Sequence, residues 1–181
     1  MSELLSPLRL NVGFIVHQGI GYSRDFPFDL PQIFLQPDLH LHDLAGVAHI
    51  TRTPQGLLLQ VKIRATHLTE CVRCLTEFPE DLETEFTELY AFSHRSTTDS
   101  GLLLPDDYQI NLIPLVREYM LLAMPISPLC KPDCKGLCPT CGENLNETSC
   151  NHQTQDIDPR MAALKSLLSE QSSTKSDRSK R

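Results

Sequence analysis

The chain has 181 residues, of which 40% are apolar, no tryptophan, and a formal net charge of −7. That length allows one ordinary domain with an appendage, or two small domains, around a mainly aliphatic core. The acidic balance excludes a protein whose whole surface grips nucleic acid through non-specific electrostatics, while leaving room for a local basic contact.

The N-terminus, MSELLSPLRLNVGF, has no charged segment leading into a continuous apolar run. No stretch approaches the length of a membrane span. A cytoplasmic location is the expectation. In a reducing compartment clustered cysteines read as metal ligands rather than disulfides. The seven cysteines also leave one unpaired in any all-disulfide scheme.

Segments 8–16 and 20–28 are weak strand candidates. His40-Leu41-His42 places two imidazoles on one face of an extended segment. Chelation is one reading of that pair and a plain strand surface is the better one; His67 is ambiguous in the same way. Stronger strands follow at 44–53 and 57–68, with Pro54-Gln55-Gly56 between them as a hairpin turn. In the second strand Leu57, Leu59, Val61, Ile63 and Ala65 alternate with Leu58, Gln60, Lys62, Arg64 and Thr66. That is a period of two, with one apolar face.

Cys71-Val72-Arg73-Cys74 then falls where the chain should turn. A C-x2-C at such a turn is half a metal site. Two small buried residues in a tight connection, or a dithiol activated by Arg73, are the alternatives. A thioredoxin-like dithiol belongs at a helix start, which these flanks do not resemble. From Glu77 to Glu88 the chain carries six carboxylates and no Lys or Arg. Residues 82–92 alternate again, with Leu82, Thr84, Phe86, Tyr90 and Phe92 on one side and Glu88 interrupting that face.

Residues 93–106 read as a loop. A helix follows, with Asn111 as its cap and Leu112, Val116, Tyr119, Met120 and Ala123 on one face; Pro125 ends it. Segment 127–152 holds little apolar content beyond Leu129, Leu137 and Leu145, so it needs a staple to fold. Residues 158–168 read as a short helix and 169–181 as a basic, disordered tail. The fold class is therefore α+β: an antiparallel β-rich meander or partly open barrel with a packed helix, plus a cysteine-rich, zinc-ribbon-like module. The divisions fall at 1–126, 127–155 and 156–181.

Eight residues make up the candidate metal ligands: Cys71, Cys74, Cys130, Cys134, Cys138, Cys141, Cys150 and His152. A structural zinc takes four, so one or two ions fit. Cys138 and Cys141 are the safest pair, and Gly142 after them tolerates a left-handed backbone. Their partners are open: Cys130 and Cys134, Cys150 and His152, or Cys71 and Cys74. Glu143 and Glu147 lie near in sequence, but nothing marks either as a general base. No motif for a zinc protease, hydrolase elbow, P-loop or dinucleotide fold is present.

Several features occur together and in order. Glu70-Cys71-Val72-Arg73-Cys74-Leu75 is followed by acidic strands and by a helix ending Leu122-Ala123-Met124-Pro125. Next comes CKPDCKGLCPTCGENLN over 130–146, then Cys150 and Asp158-Pro159-Arg160-x-x-x-Leu164. Over roughly residues 10–170 this resembles the YceD-like family of bacterial and plastid proteins, linked to accumulation of large-subunit ribosomal RNA. The departure is Cys150-Asn151-His152, where the family pattern is Cys-x-Cys; histidine is itself a competent zinc ligand. The resemblance implies a non-enzymatic zinc-binding factor for ribosome biogenesis. Its implied partner is large-subunit ribosomal RNA or a ribosomal protein, with no membrane and no small-molecule substrate. An acidic adaptor that binds only protein is the alternative, and a thiol-redox enzyme using Cys71 and Cys74 the more remote one.

Overall fold

The computed structural model describes residues 8–96 and 100–152. The chain divides into two compact units, Met1–Cys134 and Lys135–Arg181. The helix expected at 158–168 and the tail after it lie outside the described residues.

The first unit runs β1 (Arg9–Asn11), α1 (Gly13–Val16), β2 (Ser23–Leu35), β3 (Leu39–Arg52), β4 (Gly56–Glu70), β5 (Glu77–Ala91), β6 (Gln109–Asn111) and α2 (Ile113–Ala123). Strands β2 to β5 form an open antiparallel meander in sequence order, and β1 pairs with β6 in a second, two-stranded sheet. The sheet does not close into a barrel. No helix among the described residues is long and apolar enough to cross a membrane.

Period-two patterning sets the inner face. Leu57, Leu59, Val61, Ile63 and Ala65 of β4 are buried, with Leu82, Phe86 and Tyr90 of β5 beside them. They share one core with Leu8, Val12 and Ile15 and with Ile110, Leu112, Val116 and Met120. The β3–β4 turn is closed by a Thr53 N–H bond to Gly56 O at 2.9 Å. Gly56 has no substitute there: a Cβ would stand 2.2 Å from Tyr90 O on the neighbouring strand.

Strands β2 and β3 are less legible because their period slips. In β3 the buried residues are Leu39 and Leu41, then Leu44, Ala48 and Ile50. Asp43, at φ +50°, is the cause. The register passes from His42↔Thr66 to Ala45↔Arg64, so Asp43 and Leu44 together oppose Ala65. That extra residue is a β-bulge, and it moves the inward face from odd to even positions. The weak candidate at 20–28 is in fact the first part of β2, which runs to Leu35 through Pro27 and Pro31. Both prolines are tolerated because β2 is an edge strand, with one side free of ladder bonds. The candidate at 8–16 is a strand only over Arg9–Asn11 and then turns helical.

The two short strands begin matching units. Leu10 opposes Ile110 at the centre of the β1–β6 ladder. Each strand ends on an asparagine whose Oδ1 accepts the N–H two residues on: Asn11 from Gly13 and Asn111 from Ile113, both at 3.1 Å. A fully buried residue follows in each case, Val12 and Leu112, and then a helix. Leu112 rather than Asn111 therefore occupies the cap position of α2, while Asn111 still satisfies one free N–H of the first turn.

Glu88, the carboxylate on the apolar face of β5, has a partner in α2. The Tyr119 hydroxyl donates to its Oε1 at 2.7 Å, and the Tyr119 ring stacks on Phe86 with centroids 4.1 Å apart. That hydrogen bond, reinforced by burial, pushes the Tyr119 phenol up to about 12. Tyr119→Phe should keep the stack and strip the carboxylate of its donor, lowering stability by about 1–2 kcal/mol. Glu88→Gln, which retains an acceptor, should cost less. Denaturant unfolding of the two variants and wild type checks both.

Candidate metal centres

The β4–β5 connection is a knuckle. The Cys71 N–H donates to Thr76 O at 3.0 Å, and the Leu75 N–H returns to Cys71 O at 2.9 Å. The second unit repeats these bonds at the same offsets. There the Cys138 N–H donates to Glu143 O at 2.8 Å and the Gly142 N–H to Cys138 O at 2.9 Å. In both knuckles the residue after the second cysteine is left-handed, Leu75 at φ +57° and Gly142 at φ +75°. Glycine adopts this freely, whereas a leucine there costs about 1–2 kcal/mol.

Two groups of four candidate ligands result. Cys71, Cys74, Cys130 and Cys134 form one, and Cys138, Cys141, Cys150 and His152 the other; within each, the ligand atoms lie within 4.8 Å of one another. All eight residues singled out by spacing are thus brought together, in two fours. In the first group Cys71 Sγ is 3.7 Å from Cys134 Sγ and Cys74 Sγ 3.6 Å from Cys130 Sγ. A zinc tetrahedron with ordinary Zn–S bonds needs about 3.8 Å between sulfurs, whereas a disulfide needs about 2 Å. No disulfide joins these cysteines, and the donor set fits a metal ion. In the second group Cys138 Sγ lies 3.8 Å from His152 Nδ1.

Local bonds aim each segment. The Val72 N–H donates to Pro128 O at 3.0 Å and Arg73 Nη1 to Cys134 O at 2.9 Å, which holds the chain around Cys130 against the hairpin end. In the second unit a short hairpin carries the knuckle. It is closed by Leu145 N–H to Gly136 O at 2.9 Å and by the Leu137↔Asn144 bridge. Asn146 Oδ1 accepts the Lys135 N–H at 3.0 Å, and Asn144 Oδ1 accepts the Asn146 N–H at 3.0 Å. The Asn144-Leu145-Asn146 run is therefore a bonding device of the hairpin.

The thiols disagree about ionisation. Burial pushes the Cys71 thiol up, but the N–H groups of Cys130, Cys74 and Arg73 outweigh it and hold Cys71 at about 6. Bonds from Thr76 lower Cys74. Cys130, desolvated and facing Cys74, Cys134 and Cys71, is pushed up to about 12. In the second group the N–H groups of Cys141 and Thr140 draw Cys138 down to about 6, while Cys138 and burial raise Cys150. In each group the surroundings favour the thiolate at one sulfur and oppose it at another, a conflict that a divalent cation at the centre would remove.

Residues outside the groups have other work. His40 stacks on Phe34 with centroids 4.3 Å apart, and His67 Nδ1 lies 2.8 Å from His40 O. Glu147 Oε1 accepts from Asn144 Nδ2 at 3.1 Å. Spacing alone missed Thr76 and the Arg73–Cys134 bond. The signal for Thr76 was its place at the end of the knuckle, matching Glu143 in the second.

Residues 59–168 match the family described as large ribosomal RNA subunit accumulation protein YceD. An uncharacterized protein of Mycobacterium tuberculosis is 33% identical over 126 residues, which cover 66% of this chain and 59% of that protein. Uncharacterized protein YlbN of Bacillus subtilis is 32% identical over 103 residues, 56% of this chain and 60% of that one. A chloroplastic protein of Zea mays, named a homolog of the large ribosomal RNA subunit accumulation protein, is 44% identical over 43 residues, 24% of this chain and 15% of its own. The chain thus spans about three-fifths of the length of the bacterial relatives it matches. No solved structure matches. All eight candidate ligands lie within the matched segment, and the chain belongs to the YceD family.

Proposed function

We propose that this chain is a non-enzymatic, zinc-stapled factor that supports accumulation of large-subunit ribosomal RNA in the cytoplasm, through contact with precursor ribosomal RNA or a ribosomal protein. The observation that carries this reading is the family match over residues 59–168, which encloses both ligand groups. The Zea mays relative is named for that process.

The ligand sets favour zinc in a structural role. Four thiolates, or three with one imidazole, complete a tetrahedron and leave no position for a substrate. The first site ties the β4–β5 hairpin end to the chain after α2. The second site, a zinc-ribbon-like hairpin, has few apolar residues to hold it, so metal binding is its folding energy. Rigid zinc loops of this kind serve as contact platforms for RNA or protein.

Elemental analysis of the purified full chain should give about two zinc ions per chain, and about one in either Cys71→Ser/Cys74→Ser or Cys138→Ser/Cys141→Ser. Folded protein with no metal sinks the structural half of the proposal. Every ligand sulfur must lose its proton to bind, so zinc affinity should fall as pH falls, read by release to a chromogenic chelator.

Cells lacking the protein should show a lowered ratio of large- to small-subunit RNA on a gradient. Wild type should restore it and Cys138→Ser/Cys141→Ser should not. An unchanged ratio removes the process from the reading.

A further inference from the structure

The end of the β4–β5 hairpin presents Val72, 53% exposed, and Leu75, 61% exposed, to solvent, and the segment after α2 presents Ile126, 100% exposed. The bond from Val72 N–H to Pro128 O runs the segment bearing Ile126 past the knuckle. Leu75 occupies the left-handed position that the second knuckle fills with Gly142. A bulky apolar residue held there with its side chain in water is explained by something outside the chain.

The residues behind this tip define that partner. Glu70 and Glu77 stand directly opposite each other on β4 and β5. Further along the same ladder opposite signs face each other: Lys62 opposes Glu85 and pairs with it at 3.0 Å, and Arg64 opposes Glu83. Like charges directly opposite weaken a sheet, and none of the ion pairs among the described residues relieves these two. Arg73, the one cation of the knuckle, donates instead to Cys134 O. An apolar tip backed by these paired carboxylates complements an apolar recess rimmed with Lys and Arg.

We propose that the Cys71–Thr76 knuckle is a protein-docking tip: Val72, Leu75 and Ile126 enter an apolar recess of a basic protein, whose rim cations meet Glu70 and Glu77. This deepens the function proposed above by assigning the first centre a protein partner, and it rests on that reading for the choice of probe.

The test uses the zinc-loaded full chain, titrated against individually purified basic proteins of the large subunit and, separately, against a transcript of large-subunit RNA. Leu75→Gly removes the side chain and suits the backbone, so it should keep zinc content and thermal stability. It should weaken binding to the recognised protein at least about tenfold and leave transcript binding unchanged. Glu70→Gln/Glu77→Gln should weaken the same binding and flatten its salt dependence. Wild type that binds none of these proteins overturns the docking tip, as do variants that bind like wild type or a loss confined to the transcript. The cellular RNA ratio separates the two ideas. Full restoration by Leu75→Gly sinks the tip alone, while a ratio indifferent to loss of the whole protein sinks the biogenesis reading alone.

Discussion

Four sulfur atoms at the end of the β4–β5 hairpin set the terms for the first unit. Two of their pairs stand 3.6 and 3.7 Å apart, a separation at which negative charge on one sulfur opposes charge on its neighbour and a cation between them would relieve it. Backbone N–H groups favour the thiolate at Cys71, while desolvation and then the neighbouring sulfurs oppose it at Cys130. The same tension recurs between Cys138 and Cys150. The knuckle backbone, the Val72–Pro128 bond and the Arg73–Cys134 bond all serve to bring that charge conflict to a point. A hairpin could turn more cheaply without any of them.

Much of this was legible in the sequence where one interaction decides the outcome. The alternation of β4 is read directly because one face is buried and the other wet, and the ligands are read because few other environments use cysteine at two-residue gaps. Legibility fails where a distant partner decides. Glu88 looks like a fault in β5 until Tyr119 supplies its donor. Asp43 hides β3 because a single left-handed residue exchanges odd for even positions. Pro27 and Pro31 look like breaks until β2 is known to be an edge.

The pairing of ligands shows the same limit. Cys134 and Cys138 are four residues apart, yet they belong to different groups. Spacing treats 130–152 as one cysteine run; the folded chain gives its first half to the hairpin end and its second half to a hairpin of its own. What spacing cannot supply is the partner brought from sixty residues away, such as Cys71 for Cys134. The repeated bonds of the two knuckles were visible only as a C-x2-C, since their shared geometry lies in the residues after the cysteines.

The β1–β6 ladder has a bearing on the order of events during synthesis. Strands β2 to β5 meet their neighbours through successive hairpins, so the meander can assemble as it emerges. Arg9, by contrast, pairs with Asn111, and Cys71 meets Cys134. The first strand made must therefore wait beside a finished sheet for one of the last, with the part of the core that Ile110, Leu112, Val116 and Met120 fill still open. The elements β6 and α2 arrive shortly before Cys130 and Cys134, so the first group of four cysteines is completed only after the sheet and its helix are made. A nascent chain halted before residue 109 would hold the sheet without the helix that packs on β5, and that is the stage at which it most needs protection from aggregation.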